Sequence, residues 1–95
     1  LANAAAVGAH LHAALEAGLQ GLAGVKDIRG QGLMIGIELA KPCGVITQRA
    51  ADAGLLLSVT ADSVIRIVPP LIMTTAEADE VAAILLPLIH AFLSE

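Results

Sequence analysis

Aromatic and basic residues are scarce in this sequence. It contains no Trp or Tyr, and Phe92 is its only aromatic residue. Proteins that bind single-stranded nucleic acid stack bases on aromatic rings, and this chain has almost no platform for such stacking. Its five Lys and Arg residues are outnumbered by nine Asp and Glu residues, which gives a net charge of −4, and they form no patch. These absences argue against a nucleic-acid partner.

Cysteine and long apolar runs are also scarce. The single cysteine, Cys43, excludes an intramolecular disulfide and suits a reducing compartment, so we expect a cytoplasmic protein. Cys43 lies in a Pro-Cys-Gly sequence with no nearby His, and we interpret it as an inert small residue. The longest uncharged run near the end, "VAAILLPLIHAFL", is shorter than the roughly 20 residues that cross a membrane. No membrane partner is expected.

Apolar residues, by contrast, are abundant. They make up 57% of the chain and charged residues only 15%, against typical values of about 45–50% and about 25%. A domain this small cannot bury that much apolar surface, so we expect an exposed apolar patch on the first helix or the outward face of a sheet. The chain therefore either self-associates or belongs to a larger protein. The sequence begins within a predicted helix and without Met, which favours the larger protein.

The apolar spacing predicts one α+β domain over residues 1–95, with the order α-β-β-α-β-β-α and the helices packed on one face of a small antiparallel or mixed sheet. Thr74 and Glu77 have the spacing of a capping box, and Gly54 is placed to end the second helix. Pro87 should bend the last helix. The predicted strands are "VKDIRGQG", "LMIGIEL", "LLLSV" and "VIRIV", and the polar turn "TADS" joins the last two.

Several residues that could support chemistry have a simpler structural interpretation. The glycines of "GQGLMIG" have G-x-G-x-x-x-G spacing, which differs from a dinucleotide-binding loop and favours a tight hairpin. His10 and His12 point about 200° apart on a helix and cannot share a metal ion, and His90 stands alone. Asp27 and Glu38 are interpreted as surface charges. No lysine has a setting that suits a Schiff base, so no catalytic residue and no metal site is predicted.

Arg66 is the residue that this pattern leaves unexplained. It lies in the apolar stretch "VIRIVPPLIM", where an unpaired buried guanidinium would cost several kcal/mol. One interpretation is an edge-strand cation paired with Asp62 or Glu38. The other is a carboxylate clamp, because a planar guanidinium binds a carboxylate through two parallel hydrogen bonds and the following Pro-Pro would hold the backbone rigid.

Two stretches together resemble a known family. The first is "VKDIRGQGLMIGIEL" and the second is "GLLLSVTADSVIRIVPPLIMTTAEADEV". They are similar to the carboxy-terminal portion of class III pyridoxal-phosphate aminotransferases, especially the acetylornithine aminotransferase branch. There an R-G-x-G-L-M-x-G hairpin precedes an R-x-x-P-P-L strand end, and these motifs match residues 29–36 and 66–71.

The resemblance implies a homodimer of fold type I, in which this segment forms part of the C-terminal small domain. Arg66 would bind a substrate carboxylate, or would pair with a large-domain glutamate that switches between the half-reactions. Pyridoxal 5'-phosphate (PLP) would be held by the large domain of the same chain, which also carries the Schiff-base lysine. Arg29 and the hairpin glycines match the motif and are interpreted as structural.

The implied function is transfer of an amino group from N-acetylornithine, or a similar donor, to 2-oxoglutarate in arginine biosynthesis. The partners would be small amino and keto acids, the large domain and a second subunit, and this segment by itself would be inactive. The exact donor stays open. The alternative hypothesis is a stand-alone α+β regulatory or interaction module that binds a small carboxylate or dimerises through an apolar face.

Overall fold

Helices and strands alternate along the chain in the predicted order α-β-β-α-β-β-α. The computed structural model describes residues 2–31 and 34–95, so Gly32 and Leu33 of the predicted hairpin lie outside the described residues. The elements are α1 (Ala2–Leu19), β1 (Val25–Gln31), β2 (Met34–Leu39), α2 (Val45–Asp52), β3 (Ser58–Thr60), β4 (Val64–Ile67) and α3 (Thr75–Leu93).

The four strands form one antiparallel sheet in the order β1-β2-β4-β3. Strands β1 and β2 pair with each other, as do β3 and β4, and the pairing of β2 with β4 joins the two halves of the sheet. Strand β4 therefore lies inside the sheet, although it is the last strand in the sequence. An α+β fold with a small antiparallel sheet is confirmed.

The third strand is shorter and begins later than the predicted stretch "LLLSV", which covers residues 55–59. Gly54, with φ of +90°, ends α2 as predicted. The Leu55 amide donates to the Ala50 carbonyl at 2.8 Å and the Gly54 amide donates to Ala51 at 3.0 Å, which is a Schellman arrangement. Leu55 is buried in the core directly after this turn. The chain therefore reaches the sheet only at Ser58.

Strands β2 and β4 have one apolar face and one face that carries polar side chains. Ile35, Ile37, Ile65 and Ile67 are buried and belong to the same core as the buried residues of the helices. In α1 these are mainly Leu11 and Leu15, and in α3 mainly Leu85 and Ile89. The helices thus cover one face of the sheet, as predicted. Successive side chains alternate along a strand, so the residues between the isoleucines point to the opposite, open face.

Helix α3 begins with the capping box that the sequence predicts. The Glu77 amide donates to the Thr74 hydroxyl at 3.1 Å, and the Thr74 amide donates to the Glu77 carboxylate at 3.0 Å. These bonds satisfy two backbone groups that the first turn of a helix otherwise leaves unpaired. Pro87 lies inside the helix, which continues to Leu93. The bend at Pro87 stays a prediction.

Removal of the Thr74 hydroxyl should destabilise the chain. We expect Thr74→Ala to lower the free energy of unfolding by about 1 kcal/mol, because the Glu77 amide loses its acceptor. Thr75→Ala is the matched control, since Thr75 is exposed and follows the cap. Urea unfolding followed by circular dichroism measures both variants. Equal effects of the two substitutions would contradict a stabilising role for the cap.

The large exposed apolar side chains lie at the start of α2 and in the segments that flank β3 and β4. Those in the described chain are Val45, Leu56, Val68, Leu71 and Ile72, and none lies on α1. The outward positions of α1 are mostly alanine, while its large residues face the core. The most exposed are Leu56 at 86% and Ile72 at 87%, in the segments that flank β3 and β4. The predicted location on the first helix is therefore wrong for the large side chains, and a patch on the outward face of the sheet stays a prediction.

Candidate functional site

Arg66 lies on an interior strand of the sheet, with Gly36 of β2 on one side and Ser58 of β3 on the other. The interpretation of Arg66 as an edge-strand cation is therefore wrong. The prediction failed because strand order depends on the pairing of β2 with β4, and nothing in the local sequence of β4 reveals that pairing. The Arg66 side chain is exposed on the open face of the sheet, opposite to the helices.

Neither carboxylate proposed from the sequence pairs with Arg66. Glu38 instead contacts Arg29 at 3.1 Å and Lys26 at 3.9 Å. Within residues 2–31 and 34–95, Arg66 takes part in no ion pair or side-chain hydrogen bond, and that includes Asp62 in the turn before β4. A guanidinium placed in this way is available to an external anion.

Arg29 and Arg66 flank a glycine in one row across the sheet. Gly36 pairs with Arg29 on one side and with Arg66 on the other. Neighbouring strands are about 4.8 Å apart, so the backbones that carry the two arginines are separated by roughly 10 Å. A side chain at Gly36 would begin 3.6 Å from Cγ of Arg29 and 3.7 Å from Cγ1 of Val64. The stem of Arg29 thus lies over the glycine.

The guanidinium of Arg29 is held by two carboxylates, unlike that of Arg66. Its Nη1 lies 2.9 Å from Oδ2 of Asp27 and 3.1 Å from Oε1 of Glu38. Hydrogen bonds to Asp27 and then to Glu38 raise the pKa of Arg29. The sequence identified Asp27 and Glu38 as surface charges and Arg29 as structural. It missed that all three form one network on the face that carries Arg66, because only the strand register reveals this.

The three histidines belong to the helical layer, on the other side of the sheet from Arg66. His10 of α1 contacts Asp79 of α3 at 2.7 Å, and Nε2 of His90 lies 2.8 Å from the Gly18 carbonyl. Nε2 of His12 lies 3.2 Å from Glu16 in the same helix. The contacts of His10 and His90 join α1 to α3. Among the described residues, no three His, Cys, Asp or Glu side chains are close enough to hold a metal ion.

The lysines and the cysteine have settings that do not suit covalent chemistry. Lys26 is 61% exposed, and Nζ of Lys41 lies 4.4 Å from the centre of the Phe92 ring. Cys43 is completely buried, and this burial raises the pKa of its thiol. A buried thiol with a raised pKa is a poor nucleophile. The interpretation of Cys43 as an inert residue agrees with this geometry.

A groove of about 390 Å³ lies where the end of β4 meets α3. Its walls include Leu56, Val68 and Pro69, and Glu77 and Glu80 are the charged residues among those that line it. Arg66 does not line this groove. A groove whose charged groups are carboxylates repels an anionic ligand, so the candidate carboxylate site is the open face of the sheet.

No helix in the described chain has both the length and the apolar character to cross a membrane.

The sequence profile of the family described as "Aminotransferase class-III" matches residues 1–89. The chain belongs to this family. Acetylornithine aminotransferase 1 of Bordetella bronchiseptica is 55% identical over all 95 residues. Acetylornithine aminotransferase of Methanothermobacter thermautotrophicus is 43% identical over 83 residues, which are 87% of this chain and 21% of that protein.

Solved aminotransferase structures share the fold. Ornithine δ-aminotransferase of Plasmodium falciparum superposes with a TM-score of 0.87 at 28% identity, over 98% of this chain and 25% of that one. N-acetylornithine aminotransferase of Stenotrophomonas maltophilia superposes with a TM-score of 0.84 at 31% identity, over 98% of this chain and 27% of that one. The resemblance inferred from the sequence is confirmed.

The chain spans about a quarter of the length of the curated relatives it matches, 24% in the Bordetella protein. All the proteins compared above are aminotransferases, and none is a stand-alone regulatory or interaction module. The alternative hypothesis of a separate α+β module is thus not supported.

Proposed function

We propose that this chain is the C-terminal small domain of a PLP-dependent aminotransferase that moves an amino group from N-acetylornithine, or a similar donor, to 2-oxoglutarate. The observation that carries the proposal is the 55% identity to an acetylornithine aminotransferase along the entire chain. The arrangement of the open face supports it, since a free guanidinium there suits substrates that carry carboxylates.

Within this function, the role of Arg66 is to bind and orient a carboxylate. The guanidinium is always charged and presents its donors in a planar fork that matches the two carboxylate oxygens. Strand β4 is paired on both sides, which restricts the position of the Arg66 backbone. The anion is either the substrate carboxylate itself or a glutamate of the large domain that withdraws when substrate arrives. In both cases Arg66 selects and positions substrate and transfers no proton.

The described residues do not fit PLP. Lys26 and Lys41 are the only lysines in the sequence; Lys26 is largely exposed and Lys41 lies over the Phe92 ring, so neither lies in an enclosed pocket of the kind that holds a Schiff-base lysine. We therefore propose that the large domain holds the cofactor, and that this chain contributes substrate recognition. The proposal extends to a cytoplasmic homodimer, in keeping with a single cysteine and with the exposed apolar side chains around β3 and β4.

We expect the 95-residue chain to bind PLP no better than an unrelated protein does. Titration of PLP should leave its absorbance spectrum unchanged, and borohydride reduction should attach the cofactor to no particular lysine. Lys26→Ala and Lys41→Ala serve as controls, because neither should alter the spectra. A saturable absorbance change that one of these substitutions abolishes would show that the chain carries its own cofactor lysine.

The proposed activity is tested on a longer protein that carries this sequence. Purified with PLP, it should convert N-acetylornithine and 2-oxoglutarate to glutamate, which a coupled assay measures. Ornithine and 4-aminobutyrate are tested in parallel to define the donor. If none of these donors supports glutamate formation in a protein that retains PLP, the proposed substrates are wrong.

A further inference from the structure

We propose that Arg29 is a positioning residue that keeps Glu38 away from Arg66, so that the Arg66 guanidinium stays free for a carboxylate. The proposal rests on the proposed function, in which Arg66 binds a carboxylate. It assigns to Arg29 a role beyond holding the hairpin together. The role is indirect, because Arg29 acts through Glu38 and need not contact the substrate.

Glu38 is the carboxylate of this chain that is best placed to neutralise Arg66. Glu38 pairs with Val64, and Gly36 pairs with Arg66, so Glu38 and Arg66 are diagonal neighbours on adjacent strands and on the same face. Residues in this relation are about 7–8 Å apart, which long side chains span. A glutamate and an arginine can therefore meet across this diagonal, above the shorter side chain of Val64 and with no side chain on Gly36.

The structure shows Glu38 turned the other way, toward β1. Its Oε1 accepts from Nη1 of Arg29 at 3.1 Å, whereas Lys26 approaches Oε2 only to 3.9 Å and is 61% exposed. Arg29 is itself fixed by Asp27 at 2.9 Å. Arg29 is therefore the main residue that holds the Glu38 carboxylate in place, and Asp27 fixes the orientation of the Arg29 guanidinium.

Gly36 leaves room beside this arrangement. The stem of Arg29 approaches the position that a Cβ on Gly36 would occupy, and the guanidinium reaches Glu38 from there. If Arg29 lost its charge, Glu38 would keep only the long contact with the exposed Lys26, and Arg66 would be the cation on the strand across from it. A substrate carboxylate would then have to compete with Glu38, so binding would weaken while the reacting groups stayed in place.

The test uses the complete enzyme with PLP and compares Arg29→Met with Arg29→Met/Glu38→Gln. Met keeps an apolar stem over Gly36 and removes the guanidinium. We expect Arg29→Met to raise KM for 2-oxoglutarate, and the inhibition constant of glutarate, by roughly three- to tenfold, the range of a partly exposed ion pair. The value of kcat should change less than twofold. In the double variant, both constants should return to within about twofold of the wild type.

The double variant separates positioning from a structural role, because loss of a merely structural arginine would not be repaired by neutralising Glu38. If the double variant binds glutarate as weakly as Arg29→Met, or if Arg29→Met binds as tightly as wild type, the proposal is wrong. Arg29→Gln, alone and with Glu38→Gln, provides a second pair with the same expectations should Arg29→Met not fold.

Arg66→Lys, measured in parallel, separates this proposal from the proposed function. If Arg66→Lys leaves both constants unchanged, carboxylate binding by Arg66 is wrong, and the positioning role falls with it. If Arg66→Lys weakens binding but the Arg29 variants do not, only the positioning role is wrong.

Discussion

Arg66→Lys in the complete aminotransferase is expected to lower kcat/KM by roughly ten- to a thousandfold, at ~1.4 kcal/mol per factor of ten. Lysine keeps the positive charge but loses the planar fork that makes two parallel hydrogen bonds to a carboxylate. Both the amino donor and 2-oxoglutarate carry carboxylates, so steady-state kinetics of each half-reaction should be measured. The half-reaction with the larger loss identifies the substrate that Arg66 holds.

The same substitution elsewhere in the chain is a suitable control. Arg49 of α2 pairs with Glu95 and lies in the helical layer, so Arg49→Lys should leave kcat/KM near wild type. Both variants should melt close to the wild-type temperature, because each keeps its charge and Arg66 is exposed. Wild-type kinetics for Arg66→Lys would show that Arg66 is a surface cation without a role in substrate binding.

The second large effect concerns the core. Ile37 lies in the middle of β2, is fully buried and belongs to the core cluster, which also contains buried residues of all three helices. We expect Ile37→Ala to lower the free energy of unfolding by about 2–5 kcal/mol, because it removes apolar contacts and leaves a cavity. For a domain of this size, each kcal/mol corresponds to roughly 4–8 °C in melting temperature. Urea and thermal unfolding of the 95-residue chain measure the effect.

Ile72→Ala is the matched control, because Ile72 is 87% exposed and the substitution removes the same atoms. Its effect should stay within roughly 0.5 kcal/mol. Ile37→Val removes only one methyl(ene) group from the core and should cost about 0.5–1.5 kcal/mol. If Ile37→Ala and Ile72→Ala were equally costly, the core described here would not be the one that holds the chain together.

The features that local sequence predicts are those that depend on a few neighbouring residues. The capping box of Thr74 and Glu77 and the helix end at Gly54 were predicted correctly, because their hydrogen bonds join residues within one or two turns. The hydrophobic period also identified the type of every element. The boundaries of β3 were predicted less accurately. Leu55 is apolar because it packs in the core, and it does not belong to the strand.

The candidate site was only partly predictable, because it depends on strand order and register. Arg66 was identified from its apolar neighbours, but its interior position follows from the pairing of β2 with β4. The link between Arg29 and Glu38 was also missed. The distance between Arg29 and Glu38 along the sequence does not show that they are in contact. The register of β1 against β2 places both residues on one face of the sheet, beside Gly36.

The pairing of β2 with β4 has a consequence for how the chain folds. Each half of the sheet is a local hairpin, but the contact that joins them brings Gly36 against Arg66 from about thirty residues away. Closing so long a loop costs conformational entropy before the contacts between β2 and β4 can stabilise the sheet. We therefore expect the hairpins to form first and to dock afterwards. Arg66 already has Ser58 beside it in the β3–β4 hairpin, but it acquires Gly36 only at that docking step. The residue proposed to recognise substrate would therefore be positioned late, and a slow folding phase would delay recovery of carboxylate binding beyond recovery of secondary structure.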